Sequence, residues 1–121
     1  MYPEEYQEFS LLIKKYVVLK VLINVLDYDR NALKNSGCKL LRIYDDNLVE
    51  IQWQIEDNLR QLKKECMVLG GSIIEEFQET DVRIVKVKFK NYIYTHRYLN
   101  YVLQTECEKT LKLLLNGNVN L

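Results

Sequence analysis

The fold class is decided by residues 70–94, which read GGSIIEEFQETDVRIVKVKFKNYIY. Two glycines end a long helical pattern, and after them the apolar period changes from about 3.6 residues to about two. Within Arg83–Phe89, valines and a phenylalanine alternate with lysines, which predicts a strand with one buried face. Ser72–Glu79 is the expected partner strand, and Thr80-Asp81 is the expected turn between the two strands.

One pairing register best fits the predicted hairpin. It places Phe77 opposite Val85 on the apolar face, and it places Glu76 opposite Lys86 so that opposite charges meet. The segment 92–94 is expected to prolong the second strand. Because an isolated hairpin is only marginally stable in water, its apolar face must pack against helices.

Three helical patterns flank this hairpin. They cover Pro3–Asn35, a segment from Lys39 or Asp46 to Leu69, and a segment from Thr95 or His96 to Leu115. The start of the second helix stays open, because Asn47 with Glu50 resembles a capping box and residues 39–45 can be separate. The sequence therefore predicts an α+β, mainly helical fold of order α-α-β-β-α, a helical bundle with a packed β-hairpin. Residues 1–121 form a single domain, with 116–121 expected to be a loose tail.

The composition is that of an ordinary globular domain. The chain has 121 residues, of which 48% are apolar and 28% are charged, and these values argue against disorder. Seventeen basic side chains balance seventeen acidic ones. No overall charge therefore indicates a nucleic acid, an anionic membrane or a polyanionic substrate as the partner.

Cysteine usage and hydropathy bear on the location of the protein. Cys38, Cys66 and Cys107 are odd in number and widely spaced, which suits neither a disulfide framework nor a zinc site. We expect Cys66 and Cys107 to be small apolar fillers in a reducing, cytoplasmic protein. The longest apolar stretch, Tyr16–Leu26, is interrupted by polar residues and is too short to span a membrane, which needs about 20 apolar residues.

No arrangement of residues predicts catalysis. The single histidine, His96, is expected to be exposed in the first turn of the last helix, and no carboxylate or nucleophile can be paired with it by spacing. The chain also lacks a glycine loop of the kind that holds phosphates, because Gly70-Gly71 follows a helix. We therefore expect a protein that is not an enzyme and that has no catalytic residues, no metal and no cofactor.

The first helix carries two apolar stripes. The second stripe consists of Val18, Val21, Leu22 and Val25 and lies largely on the side opposite the first. A helix that is apolar on two sides is either central in its own bundle or shared with another chain, and both alternatives remain open. The principal functional hypothesis is a non-catalytic protein-interaction module that forms a homodimer through these four residues.

The alternative hypothesis is a nucleic-acid-binding module that uses the basic and aromatic segment 86–97. Five of its residues are expected to share one strand face: Lys86, Lys88, Lys90, Tyr92 and Tyr94. Basic groups contact phosphates and aromatic rings stack on bases, which is the basis of the hypothesis. Acidic residues in the partner strand and the zero net charge favour instead a solvated face whose lysines protect an edge strand.

Overall fold

The computed structural model describes residues 2–117, with side chains from Glu4 onward. Its elements are α1 (Tyr2–Lys34), α2 (Leu41–Leu69), β1 (Gly71–Gln78), β2 (Val82–Phe89), β3 (Tyr92–Leu99) and α3 (Asn100–Leu115). The α+β, mainly helical class is confirmed. The order is α-α-β-β-β-α, so the predicted hairpin is a three-stranded antiparallel sheet.

The second helix begins at Leu41, which decides the alternative that the sequence left open. Residues 41–45 are helical, so the alternative start at Asp46, which rested on the capping box at Asn47, is wrong. The helix ends as predicted at Gly70, whose φ of 96° is left-handed and whose N–H donates to the carbonyl of Met67 at 3.0 Å.

The two C-terminal strands are joined by a two-residue turn. Lys90 and Asn91 both have positive φ, 46° and 71°, and Phe89 pairs directly with Tyr92. Positive φ at both central residues is the signature of a type I′ turn, which reverses the chain at once. Residues 92–94 therefore open a new strand, and the prediction that they prolong β2 is wrong.

The last helix begins at Asn100, so its predicted start at Thr95 or His96 is also wrong. Residues 95–99 belong to β3, where exposed and half-buried positions alternate. Tyr98 and His96 occupy the half-buried positions, and their contacts with the rest of the chain favour the strand. The preference of Thr95 for a helix N-cap is outweighed by this packing.

The observed register of β1 and β2 differs from the predicted one by two residues at Gly71–Ile73 and by one residue at Glu75–Gln78. Phe77 pairs with Ile84 and Glu76 pairs with Val85, and the register shifts between Ile73 and Glu75. Such a shift is a β-bulge, which inserts an extra residue without a sequence signal. Opposite charges still meet in this register, because Glu76 lies 3.3 Å from Arg83.

The core is formed by α1, α2, α3 and one face of the sheet. The ring of Phe9 stacks on Phe89 at a centroid distance of 4.7 Å, and Gly71 lies so close to Phe9 that a Cβ there would overlap its ring. The largest fully buried side chains are Phe9, Ile13, Val17, Leu22, Leu26, Ile55, Val85, Val87 and Phe89. We call the sheet face that carries Val87 and packs on α1 the inner face, and the opposite face the outer face.

The remaining predictions concern cysteines, the membrane and the tail. All three cysteines are free, and Cys66 and Cys107 are buried as expected for apolar fillers. Burial raises the pKa of both thiols to about 11. Across residues 2–117, no helix has the length and apolarity needed to cross a membrane. Asn116 and Gly117 form the turn after α3, and the rest of the predicted tail lies outside the described residues.

Candidate interaction surfaces

The second stripe of α1 is divided between the core and the surface. Val18 and Leu22 are buried within the chain, and the Sγ of Cys107 on α3 lies 3.6 Å from the carbonyl of Val18. Val21 is half-buried and Val25 is 43% exposed. Half of the stripe is therefore covered within the chain, and Val18 and Leu22 are not accessible for the homodimer contact that was predicted through all four residues.

An open groove of about 750 Å³ lies where α1 approaches α3. Leu22, Leu103 and Cys107 are buried and form its floor. Val25 stands at the mouth of the groove, and Tyr28 beside it is 76% exposed. We call this surface the α1–α3 groove. The α1–α3 groove includes the exposed half of the predicted stripe. It also includes residues of α3, which the sequence analysis did not connect with the stripe.

The five residues of the basic and aromatic segment do not share a face. Lys86 and Lys88 lie on the outer face of β2, whereas Tyr94 pairs with Val87 and therefore lies on the inner face. The cause is the turn after Phe89, which places Tyr92 on the same face as Phe89. The prediction of one continuous face assumed an unbroken strand, and the two-residue turn moves both tyrosines to the opposite side.

Several of these side chains also have partners within the chain. Lys86 lies 3.9 Å from Glu75, and Lys90 forms an ion pair with Glu5. Tyr94 packs on Tyr6 of α1 with a centroid distance of 4.3 Å. The lysines that were expected to meet phosphate are thus largely matched by carboxylates, and Tyr94 takes part in the packing of the sheet on α1.

The structure brings together a histidine and two tyrosines that the sequence analysis did not connect. Nε2 of His96 lies 2.6 Å from the hydroxyl of Tyr6, and Nδ1 lies 3.1 Å from the hydroxyl of Tyr98. A neutral imidazole donates from one nitrogen and accepts at the other, so it can satisfy both hydroxyls. Burial lowers the pKa of His96 and raises that of Tyr98, and both shifts favour the uncharged cluster.

A second groove, of about 570 Å³, runs between α1 and β3. Gln7 and Lys14 line it from α1, and Arg97 lines it from β3. We call it the edge groove. Gln7 and Lys14 are followed at the same seven-residue spacing by Val21 and Tyr28 of the α1–α3 groove, so both grooves lie along one side of α1.

A polar network joins α1 to α2 at the other end of the bundle. Arg30 donates two hydrogen bonds to the carboxylate of Asp45, at 2.7 and 3.1 Å, and a third to Gln52 at 2.8 Å. The buried Gln52 in turn donates to Asp27 at 2.7 Å. Because every contact lies within the chain, we assign the network to the helix pairing and not to a ligand. The hydrogen bond from Arg30 lowers the pKa of Asp45.

Comparison with known proteins gives one match. Neither the curated proteins nor the solved structures include a match to this chain. The family model described as YhjD protein matches residues 3–119, which is nearly the whole chain and includes all three helices and the sheet. The chain therefore belongs to the YhjD protein family.

Proposed function

We propose that this protein is a non-catalytic protein-interaction module that forms a homodimer through the α1–α3 groove. The observation that carries the proposal is the apolar groove with Val25 at its mouth and Tyr28 standing beside it, 43% and 76% exposed. Tyrosine is enriched at the centres of protein interfaces, because it combines a large apolar ring with a polar tip. A ring so exposed beside an apolar groove is suited to enter the same groove of a second copy.

In a two-fold symmetric dimer, each contact between the chains occurs twice, once in each direction. Tyr28 of each chain packs over Val21 and Leu111 of the other, and the polar rim at Asp29 and Glu108 stays in contact with water. The arrangement needs no movement of the buried Leu22. We further propose a reducing, cytoplasmic location, which is consistent with three free thiols in a chain of this length.

Light-scattering mass as a function of protein concentration tests the dimer. We expect a dimeric wild type, and we expect Val25→Asp to give a folded monomer because the carboxylate faces water once the chains separate. Val68→Asp is the matched control, since Val68 is 86% exposed on α2 and lies outside the groove. A wild type that stays monomeric at all concentrations, or equal dissociation by both variants, contradicts the proposal.

Nucleic-acid binding by residues 86–97 has less support. Lys86 and Lys88 lie on the face opposite to Tyr92 and Tyr94, and two of the three lysines of the segment are paired with glutamates. A ligand that needs both phosphate contacts and stacking on one surface does not find them here. We therefore retain protein binding as the proposed function.

A further inference from the structure

We propose that the edge of β3 binds an extended acidic segment of a partner protein, which adds to the sheet as a fourth strand. The strand order is β1-β2-β3, so β3 ends the sheet on one side. This site is distinct from the α1–α3 groove, and the proposal does not depend on the homodimer. Its evidence is the direction of backbone groups, the shape of the edge and the charge beside it.

The direction of the backbone groups follows from the strand pairing. The hairpin closes on the pair Phe89 and Tyr92, and Lys90 donates its N–H to the carbonyl of Gly70 on the β1 side. Hydrogen-bonded and non-hydrogen-bonded pairs alternate along an antiparallel ladder. The N–H and C=O groups of residues 93, 95 and 97 are therefore directed away from β2, where an added strand can pair with them.

The edge of β3 is open and regular. All eight residues from Tyr92 to Leu99 pair with β2 without a shift in register. The strand is rich in aromatic and β-branched residues, and Ile93 is 66% exposed. Natural proteins usually protect such an edge with a bulge, a proline or several charges, and β3 has a single permanent charge at Arg97.

The charge beside the edge selects the partner. Lys14 borders the edge groove on the α1 side, and Arg97 stands on the outer face, on the other side of the edge. Neither forms an ion pair within residues 4–117, and no Asp or Glu occurs among the residues that line the groove. An added strand lies between these two cations, so the most favourable strand carries glutamates or aspartates on both of its faces.

The groove also provides space for side chains. The exposed side chain of Leu11 lines it, and Gln7 and Ser10 offer polar contacts. Alternate side chains of an added strand point toward α1 and reach this surface. A second copy of β3 fits less well, because it brings the same cations, Lys14 and Arg97, to the contact and no acidic residue of the edge or its groove balances them. The charge therefore favours a different, acidic chain.

A direct test uses a labelled, capped nine-residue peptide in which pairs of glutamates alternate with pairs of valines, so that both faces of the extended peptide carry glutamate. Binding is followed by fluorescence anisotropy. We expect saturable binding to the wild type. A peptide with lysine in place of glutamate should bind at least about tenfold more weakly, because its charge is reversed. A third peptide, N-methylated at alternate amides along the edge that faces β3, should not bind, because it cannot complete the ladder.

Two variants of the protein locate the site. Thr95→Pro removes an outward N–H without removing a bond to β2, so the fold should persist while peptide binding is lost. Arg97→Glu should weaken binding by about tenfold, whereas Arg42→Glu, an exposed residue of α2 with the same change of charge, should leave it unchanged. Circular dichroism confirms folding, and the methylated peptide keeps the test decisive if Thr95→Pro unfolds the chain.

Several results would overturn the proposal. They are no saturation with the glutamate peptide, equal binding of the lysine or methylated peptide, displacement of the peptide by a single-stranded oligonucleotide, or a wild-type dimer that Thr95→Pro dissociates. The last result identifies a second copy as the occupant. Val25→Asp separates this site from the homodimer, because it should leave peptide binding unchanged.

Discussion

The two edge strands of the sheet differ in nearly every feature that controls strand pairing. The β1 edge contains a bulge between Ile73 and Glu75, and its exposed side chains include Glu75. The β3 edge is regular over its whole length and carries one permanent charge, at Arg97. Both strands pair with β2 over eight-residue elements, so length does not explain the difference.

The two edges therefore differ in whether a further strand can pair with them. A bulge interrupts the regular row of backbone donors and acceptors, and the glutamates on β1 repel the same edge of a second copy because their charges are alike. The β1 edge therefore has the features of a closed edge. The β3 edge lacks them, and it lies beside a groove bordered by Lys14.

Phe89→Ala should have the largest effect, because Phe89 anchors the central strand on which both edges depend. Its ring is fully buried and stacks on Phe9. Truncating a buried phenylalanine costs about 3–5 kcal/mol of unfolding free energy. Urea unfolding measures the loss, and Ile93→Ala on the exposed side of β3 is the control, with a change of less than about 0.5 kcal/mol. Equal effects of the two substitutions would contradict the assignment of Phe89 to the core.

Gly71→Ala should act on the β1 side alone. The added Cβ meets the ring of Phe9, and overpacking of a core costs about 1–3 kcal/mol. The backbone of Gly71 is not left-handed, so the steric contact and not backbone strain is tested. Ser72→Ala at the exposed neighbouring position is the control. A denaturation midpoint that does not move in Gly71→Ala would show that β1 can shift away from α1.

The pH dependence of stability should report on the β3 side. Burial lowers the pKa of His96 from the value it has in the unfolded chain, which is about 6.5. On acidification the unfolded state therefore binds more protons than the folded state. The free energy of unfolding keeps its full value above the unfolded-state pKa, and it falls as the pH decreases through that pKa toward the folded-state pKa.

A matched variant isolates this contribution. His96 is the only histidine, and His96→Gln keeps a donor and an acceptor without titrating. The melting temperature of the wild type should decrease between pH 7.5 and about 5 by more than that of the variant. Identical pH profiles of the two proteins would mean that His96 is not held in its neutral form by the contacts with Tyr6 and Tyr98.

The smallest effect is expected for Glu75→Gln on β1. The ion pair of Glu75 with Lys86 is 3.9 Å long and exposed, and such pairs contribute about 0–1 kcal/mol. The denaturation midpoint should hardly change. Glu76→Gln should cost more, because Glu76 and Arg83 are largely buried beside each other. If Glu75→Gln is the more destabilising of the two, Glu75 stabilises the fold and its role is not limited to protecting the edge.

The sequence predicted those parts of the fold that depend on periodicity. The stripe of α2 and the alternation in β2 are both strong, and the structure confirms both elements. The third strand was missed because its turn, Lys90-Asn91, lacks glycine, although Asn91 is a residue that tolerates positive φ. Thr95 then suggested a helix start, and the alternation of Tyr94, His96 and Tyr98 was the signal that pointed to a strand.

The surfaces were predicted less well, because they depend on contacts distant in sequence. The prediction for the second stripe of α1 did not specify which of its residues the rest of the chain covers, and the structure buries Val18 and Leu22 but leaves Val25 exposed. The bulge in β1 has no sequence signature, and the predicted register was wrong by two residues before the bulge and by one residue after it. The partners of Arg30 were also unforeseen, although a cation within an apolar stripe was a signal that a buried polar partner exists.

Amide hydrogen exchange along β3 in the wild-type protein shows directly whether the edge of this strand is open. We predict alternation. The amides of Tyr94 and His96, directed toward β2, should exchange more slowly than the outward amides of residues 93, 95 and 97 by about two orders of magnitude. Equal and strong protection of all five amides in the free protein would mean that another segment already covers the edge, and it would contradict the account of β3 as an open strand.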